Sequence, residues 1–255
     1  MRIAVITIAG ISSRFNQGIG EENKVLKCIY TEEGKHNTLL YQLMRKCSYA
    51  DRIILVGGYK YEDLCSFYKT ELMTEFPNVE LVNNDHYADL GSGYSLYLGI
   101  KASEKYAPDE VLFVEGDLDI DNESFSKVVN SKKTVLTYTY EPIYANKAVV
   151  LYKDDSENYK YAFNSSHGLL CIDELFSCIL NSGQTWKFTQ INALKEANED
   201  FFYNDKAGTN LGIIQRYINI IGSKNIDLIP LVRWTNCNTR EDYRTIKKYW
   251  EDEEK

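Results

Sequence analysis

The chain has 255 residues, 26% charged and 44% hydrophobic, with a formal net charge of −8, which is the composition of a globular protein able to bury a substantial core. The acidic balance argues against gripping nucleic acid by phosphate neutralisation, and no apolar run approaches a transmembrane length. Six scattered cysteines without a C-x-x-C pair, only three histidines and no signal-peptide pattern argue against structural zinc and for reduced thiols in the cytosol.

Residues 3–8, Ile-Ala-Val-Ile-Thr-Ile, are short, apolar and β-branched, and predict a buried parallel strand. The strand empties into Ala9-Gly10, then Ser12, Ser13 and Arg14, with Lys24 beyond a polar loop. The N–H groups of a small-residue turn at a strand end form an anion site, and two cations beside it suggest a polyphosphate. The spacing matches neither the P-loop nor the dinucleotide G-x-G-x-x-G pattern. The competing reading is an ordinary first βα turn with Arg14 and Lys24 on a solvated loop.

Apolar spacing then predicts a helix over 38–49, a strand over 52–57, a helix over 61–74, a strand over 79–82, a helix over 95–104 and a strand over 110–115. This rhythm implies an α/β fold with a mixed, mainly parallel sheet flanked by helices. Ligands bind off the carboxyl ends of such strands, where Gly10, Gly57, Asn83 and Gly116 all lie. The second half alternates with more polar residues. It predicts strands over 134–140, 148–153, 159–163 and 228–232, and helices over 172–180, around 211–221 and over 241–254. No linker or repeat divides the chain. One domain over 1–255 is expected, with 1–130 as a nucleotide-binding half and 131–255 as an acceptor-binding half.

Other loops carry chemistry of their own. Gly91, Ser92 and Gly93 lead into a helix at Ser95; glycines permit close backbone approach and serine hydroxyls suit a nucleobase edge, although Ser92 or Ser95 would equally serve as an N-cap. The strand over 110–115 delivers Gly116-Asp117, with Asp119 and Asp121 just beyond. Carboxylates beside a polyphosphate suit Mg²⁺, while Asp121 or Asn122 would also cap a helix over 123–129. Residues 181–187 read as a turn that gathers Gln184, Trp186 and Lys187, either to hold an acceptor phosphate and its tail or to bridge two helices. Residues 205–210 form a similar polar turn. Asn238 precedes the last helix, where Thr239 and Asp242 have capping-box-like spacing.

Four motifs occur in order: Ala9-Gly10-x-Ser12-Ser13-Arg14-Phe15, Lys24 within Asn-Lys-Val-Leu, Gly116-Asp117 after a strand, and Asn238-Thr239-Arg240-Glu241-Asp242-Tyr243. Together they resemble the nucleotidyltransferases of the GT-A-like, Rossmann-like fold over nearly the whole chain. Asn83-Asn84 and the run from Gly93 to Leu98 look most similar to the branch of CTP:phosphocholine and CTP:phosphoglutamine cytidylyltransferases. The resemblance implies transfer of CMP from CTP to a small phosphate monoester, phosphocholine- or phosphoglutamine-like, with release of pyrophosphate. It also implies a cytoplasmic enzyme serving capsule or cell-surface polysaccharide modification.

Arg14 and Lys24 take the catalytic roles in this reading. Ala9, Gly10, Ser12, Ser13, Asn83, Gly91, Ser92 and Ser95 are the nucleotide-binding candidates. Gln184, Trp186 and Lys187 are the acceptor-side candidates, and Mg²⁺ falls to Asp117, Asp119 and Asn238. The chain departs from the family where Ile11 or Ser12 replaces glycine, Asn23 replaces proline and Asn238 replaces a metal-binding aspartate of many sugar-nucleotide members; Asp119 is then the candidate second carboxylate. CTP and a small phosphorylated acceptor are the expected partners, with a homodimer as a further association and neither nucleic acid nor membrane expected. The alternatives are a sugar-1-phosphate nucleotidyltransferase, a nucleotide-sugar-dependent glycosyltransferase using Asp117-Leu118-Asp119, and a non-catalytic nucleotide sensor.

Overall fold

The first half alternates as its periodicity predicts: β1 (Arg2–Thr7), α1 (Leu39–Lys46), β2 (Arg52–Gly57), α2 (Tyr61–Phe67), β3 (Val79–Asn83), α3 (Ser92–Glu104) and β4 (Glu110–Glu115). The structure is a computed structural model and describes residues 1–146, 149–163 and 169–253. β1 pairs in parallel with β2 on one side and β4 on the other, and β3 extends the sheet in parallel beyond β2. Ile3, Ala4, Val5 and Ile6 are buried, as both faces of this central strand are covered.

The second half adds β5 (Leu118–Ile120), α4 (Asn122–Asn130), β6 (Thr134–Thr139), β7 (Val149–Asp154), β8 (Tyr159–Phe163), β9 (Phe176–Phe188), α5 (Ile191–Asp205), α6 (Asn210–Ile221), β10 (Ile226–Leu231), β11 (Trp234–Asn236) and α7 (Arg240–Glu253). The main sheet runs β10-β6-β9-β4-β1-β2-β3, with β7 and β8 attached off β9. Only β9 opposes the common direction along that path, since it is antiparallel to both β4 and β6. The fold is therefore the expected α/β domain with a mixed, mainly parallel sheet.

Alternation along β4 divides its side chains between two cores. Leu112 and Val114 join α1, α4 and α7 residues such as Met44, Phe125 and Trp250 on one face. Val111 and Phe113 join α3, α5 and α6 residues such as Leu96, Phe201 and Ile214 on the other. The same alternation puts Glu115, the last residue of β4, on the α3–α6 side.

Four expectations are corrected. Residues 176–180 of the expected 172–180 helix and the expected turn over 181–187 are instead parts of β9, the first bonded to β7 and the second to β6 and β4. A Cβ at Gly183 would lie 2.6 Å from Thr137 Oγ1, Gln184 has φ 50, and the register shifts between Leu136 and Tyr138. Ser-Gly-Gln thus marks an irregularity inside a strand rather than a chain reversal. α5 lies where no helix was expected, although Ala193, Leu194, Ala197 and Phe201 bury one helical face. α3 begins at Ser92, three residues before the expected start, with Gly91 as its N-cap. Residue 148 of the expected 148–153 strand and residue 254 of the expected 241–254 helix lie outside the described residues. Among the described residues no helix is long and apolar enough to cross a membrane.

Candidate active site

A cavity of about 390 Å³ opens at the carboxyl ends of β1 and β4. It has two chemically different walls, which meet at Asp117.

The first wall is cationic. Ala9, Gly10, Ser12, Ser13 and Arg14 line it, as the sequence suggested. Ser12 adopts a left-handed backbone with φ 59. Arg14 is exposed, and its side chain has no hydrogen-bond or ion-pair partner among the described residues. Asn16 ties the following stretch to this loop: its Nδ2 donates to the Val25 carbonyl at 2.8 Å and its Oδ1 accepts from Val25 N at 3.0 Å. Lys27 N then donates to Ser12 Oγ at 3.3 Å.

These bonds bring Lys27 to the cavity rather than Lys24. Lys27 Nζ donates to Asp117 Oδ2 at 2.7 Å and to the Cys237 carbonyl at 3.0 Å. Lys24 does not line the cavity; it closes a short turn and pairs with Glu21 three residues before it.

The second wall is neutral apart from one carboxyl group. Asn84 is buried; its Nδ2 donates to Ser95 Oγ at 2.9 Å, and its Oδ1 accepts from His86 N at 2.9 Å. Gly91, Ser92 and Ser95 line the same side. Asn83 does not; it is exposed and bonds to Asp85. A Cβ at Gly91 would stand 2.3 Å from the Gly208 carbonyl, so the 205–210 turn packs directly on this loop. Asn210, at the end of that turn and the start of α6, donates from Nδ2 to Glu115 Oε1 at 2.6 Å and from its backbone N to Ser92 Oγ at 3.2 Å. The Glu115 carboxyl is pushed up to about 8 by burial and then by the Asp117 charge beside it, against the Asn210 bond and Lys27.

At the junction, Asp117 Oδ1 is buried without a hydrogen-bond partner among the described residues, and Asn238 lines the cavity. No cluster of three or more His, Cys, Asp or Glu able to hold a metal occurs among the described residues. Burial pushes the Cys28 and Cys237 thiols up to about 12, so neither is a thiolate nucleophile.

Four candidates fall elsewhere. Asp119 is 2% exposed; its Oδ1 accepts from Trp250 Nε1 at 2.7 Å and its Oδ2 from Arg233, so it locks α7 to the β5–β11 pair instead of completing an Asp-x-Asp metal site. Trp186 is fully buried and stacked on Phe113 with centroids 5.0 Å apart. Lys187 is 2% exposed and donates to the Val129 and Ser131 carbonyls at 2.8 Å while pairing with Glu110. Both lie within β9, in the middle of the sheet, away from the cavity. Gln184 bonds weakly to Asn236 at 3.5 Å and does not line the cavity either. Asp121 is the N-cap of α4, accepting from Ser124 N at 2.8 Å, which is the structural role foreseen for it.

Lys27, Glu115 and Asn210 were missed. For Glu115 a signal existed: an acidic residue ends an otherwise apolar strand, at the end where ligands bind. Lys27 carries no comparable mark.

One family model, described as Domain of unknown function (DUF6564), matches residues 23–250. No curated protein sequence matches the chain. Solved structures do. The inositol-1-phosphate CTP transferase from T. maritima is 17% identical, with TM-score 0.66, covering 97% of this chain and 96% of its own. The CTP:phosphocholine cytidylyltransferase LicC from Streptococcus pneumoniae is 14% identical, with TM-score 0.65, covering 98% and 100%. HddC from Yersinia pseudotuberculosis is 20% identical, with TM-score 0.58, covering 98% and 100%. The chain has the fold of the GT-A-like nucleotidyltransferases.

Proposed function

Given that the chain belongs to the DUF6564 family and has this fold, we propose that it is a cytidylyltransferase, moving CMP from CTP to a small phosphate monoester and releasing pyrophosphate. The observation that carries this reading is the single cavity with a cationic wall at Arg14 and Lys27, a neutral hydrogen-bonding wall at Asn84 and Ser95, and Asp117 where they meet. A nucleoside triphosphate has the same polarity, with an anionic tail and a neutral base.

The chemistry asks little covalent work of the protein. An oxygen of the acceptor phosphate is already an anionic nucleophile. It forms the new bond to the α-phosphorus, and the bond from that phosphorus to the bridging oxygen breaks, so pyrophosphate leaves with the electron pair. No general base is needed. The protein positions the groups and stabilises charge. Backbone N–H groups of the loop after Gly10, the Arg14 guanidinium and the Lys27 ammonium serve this purpose.

The donor set fits Mg²⁺, which accepts one or two protein oxygens and otherwise takes water and ligand phosphates. Asp117, with its unpartnered Oδ1, and the Asn238 amide would hold the ion, which when bound neutralises phosphate charge. A phosphocholine- or phosphoglutamine-like acceptor remains the proposed class. The six free thiols suit a reducing compartment, the cytosol.

The test measures pyrophosphate release with the four ribonucleoside triphosphates and dTTP against a panel of phosphate monoesters. CTP should be the preferred donor, because a hydroxyl or carbonyl that accepts from the cytosine N4 amine would face an acceptor in uracil. Preference for UTP or dTTP would replace this reading with a sugar-1-phosphate nucleotidyltransferase. No release with any donor would replace it with a nucleotide sensor.

A further inference from the structure

We propose that Arg240 is a positioning residue that holds the cationic wall in place for a triphosphate, acting through the rings of Phe15 and Tyr30; this rests on the phosphate-binding part of the reading above.

Arg240 does not line the cavity, but its guanidinium lies over two rings that support the residues which do. Its Cζ is 4.5 Å from the ring centroid of Tyr30 and 5.5 Å from that of Phe15, and its Nη1 donates to the Tyr30 hydroxyl at 3.1 Å. The two rings meet edge to face at 5.2 Å. Each leads to a different cation. Phe15 is 2% exposed and directly follows Arg14. Tyr30 N donates to the Lys27 carbonyl at 3.3 Å, which closes the short turn carrying Lys27. Arg240 itself opens α7, two residues after Asn238. One residue therefore joins the supports of Arg14 and Lys27 to the segment that carries Asn238. Its own base is fixed. Asp242 Oδ2 accepts from Asn238 N at 2.9 Å and from Thr239 N at 2.7 Å, and Thr239 Oγ1 accepts from Asp242 N at 3.1 Å, a reciprocal cap on the first turn of α7.

The helix gains nothing from an arginine at this position. A cation in the first turn opposes the helix dipole. Arg240 Nε is buried without a hydrogen-bond partner among the described residues, which is a desolvation cost. No carboxylate offsets it: Glu32 and Glu241 pair with Arg244, at 3.6 and 3.7 Å, and Arg240 has no ion pair among the described residues. Its compensation is the pair of π faces, which attract a guanidinium most where solvent is thin. A lysine ammonium, a compact point charge, does not cover two rings and donate to a hydroxyl in the same way. The first loop needs such a hold. Ile11, Ser13 and Arg14 are exposed, and Phe15 and Asn16 are its buried side chains. Asn16 ties the loop to Val25, and Phe15 ties it to Arg240. The direction of the exposed Arg14 side chain follows from the backbone that these two anchors fix.

The experiment measures binding of inorganic tripolyphosphate and of CTP by calorimetry, beside thermal melts; tripolyphosphate probes the cationic wall alone. Arg240→Met should weaken both ligands by about tenfold, the range for partly desolvated cation–π contacts. In a Tyr30→Leu background the same substitution should cost less than about threefold, because the ring it acts through is already gone. Arg240→Lys should fall between the unmodified protein and Arg240→Met, and it carries the test if Arg240→Met does not fold. Parent-like binding with a lowered melting temperature would make Arg240 structural and overturns the proposal. Equal losses with and without the Tyr30 ring, or full recovery in Arg240→Lys, would show a charge acting through space, and either result also overturns it, as does a failure of the unmodified protein to bind tripolyphosphate. The two readings fail separately. The expected tripolyphosphate losses without pyrophosphate release from CTP leave Arg240 in this role and remove the transferase, whereas pyrophosphate release with parent-like binding in Arg240→Met does the reverse.

Discussion

The Lys27 ammonium lies 2.7 Å from Asp117 Oδ2 and 3.0 Å from the Cys237 carbonyl, so one charge joins the segment after the first loop, the end of β4 and the approach to α7. The side chains of Lys27 and Asp117 are 17% and 22% exposed, which leaves both reachable from the cavity but poorly screened by solvent. A cation so placed is available to phosphate charge that develops in the same space.

Lys27→Ala should therefore lower turnover by more than about a hundredfold, roughly 3 kcal/mol of transition-state stabilisation, with the fold retained. Lys24→Ala should lose less, because its partner Glu21 is a solvent-exposed neighbour on the same turn. Pyrophosphate release by the two variants gives the order; a larger loss in Lys24→Ala would return the role to Lys24.

Asp117→Asn and Asp119→Asn should fail in different ways. Asp117→Asn should stay folded and lose activity at every Mg²⁺ concentration that supports the parent. Asp119→Asn should lose stability by about 1–3 kcal/mol, because the buried acceptor that Arg233 and Trp250 share loses its charge while Arg233 keeps only Glu253 as an ion-pair partner among the described residues. The part that remains folded should keep the parent's Mg²⁺ dependence. Thermal melts beside Mg²⁺ titrations separate the two; a shifted Mg²⁺ requirement in Asp119→Asn would restore it as a ligand.

Lys187→Met should destabilise the protein rather than weaken the acceptor. It strips the ammonium from two carbonyls and from Glu110 deep in the sheet, at a cost of about 3 kcal/mol. The acceptor KM of the folded protein should not move. A raised KM with an unchanged melting temperature would contradict the position described for this side chain.

Gly91→Ala should displace the 205–210 turn, since the added methyl group would meet the Gly208 and Ala207 carbonyls, which are backbone atoms and cannot rotate away. The expected cost is about 1–3 kcal/mol of stability together with weaker nucleotide binding, as Asn210 moves with the turn. Denaturant melts and nucleotide titration check this; parent-like binding would show that the turn does not position the second wall.

The sequence by itself determined the central architecture. The apolar runs of β1, β2 and β4 and the helices between them are local patterns, and a βαβ succession leaves few ways to arrange its strands. It therefore also determined that the carboxyl ends of β1 and β4 would share one crevice, which Gly10 and Gly116 line; Gly57 and Asn83, expected beside them at the ends of β2 and β3, do not line it. Tertiary structure alone decided the rest. β9 takes its strand form from pairing with β4 and β6 on either side, and that pairing carries Trp186 and Lys187 into the sheet although their neighbours spell a polar turn. Lys27 rather than Lys24 faces Asp117 because Asn16 and Ser12 hold an irregular segment in which no period says which side chain points inward. Asp119 turns from metal to scaffold because Arg233 and Trp250, more than a hundred residues away in the chain, arrive beside it. Periodicity records which face of an element is apolar; it holds no record of which distant side chain will neutralise a charge, and that choice is made only when the elements pack.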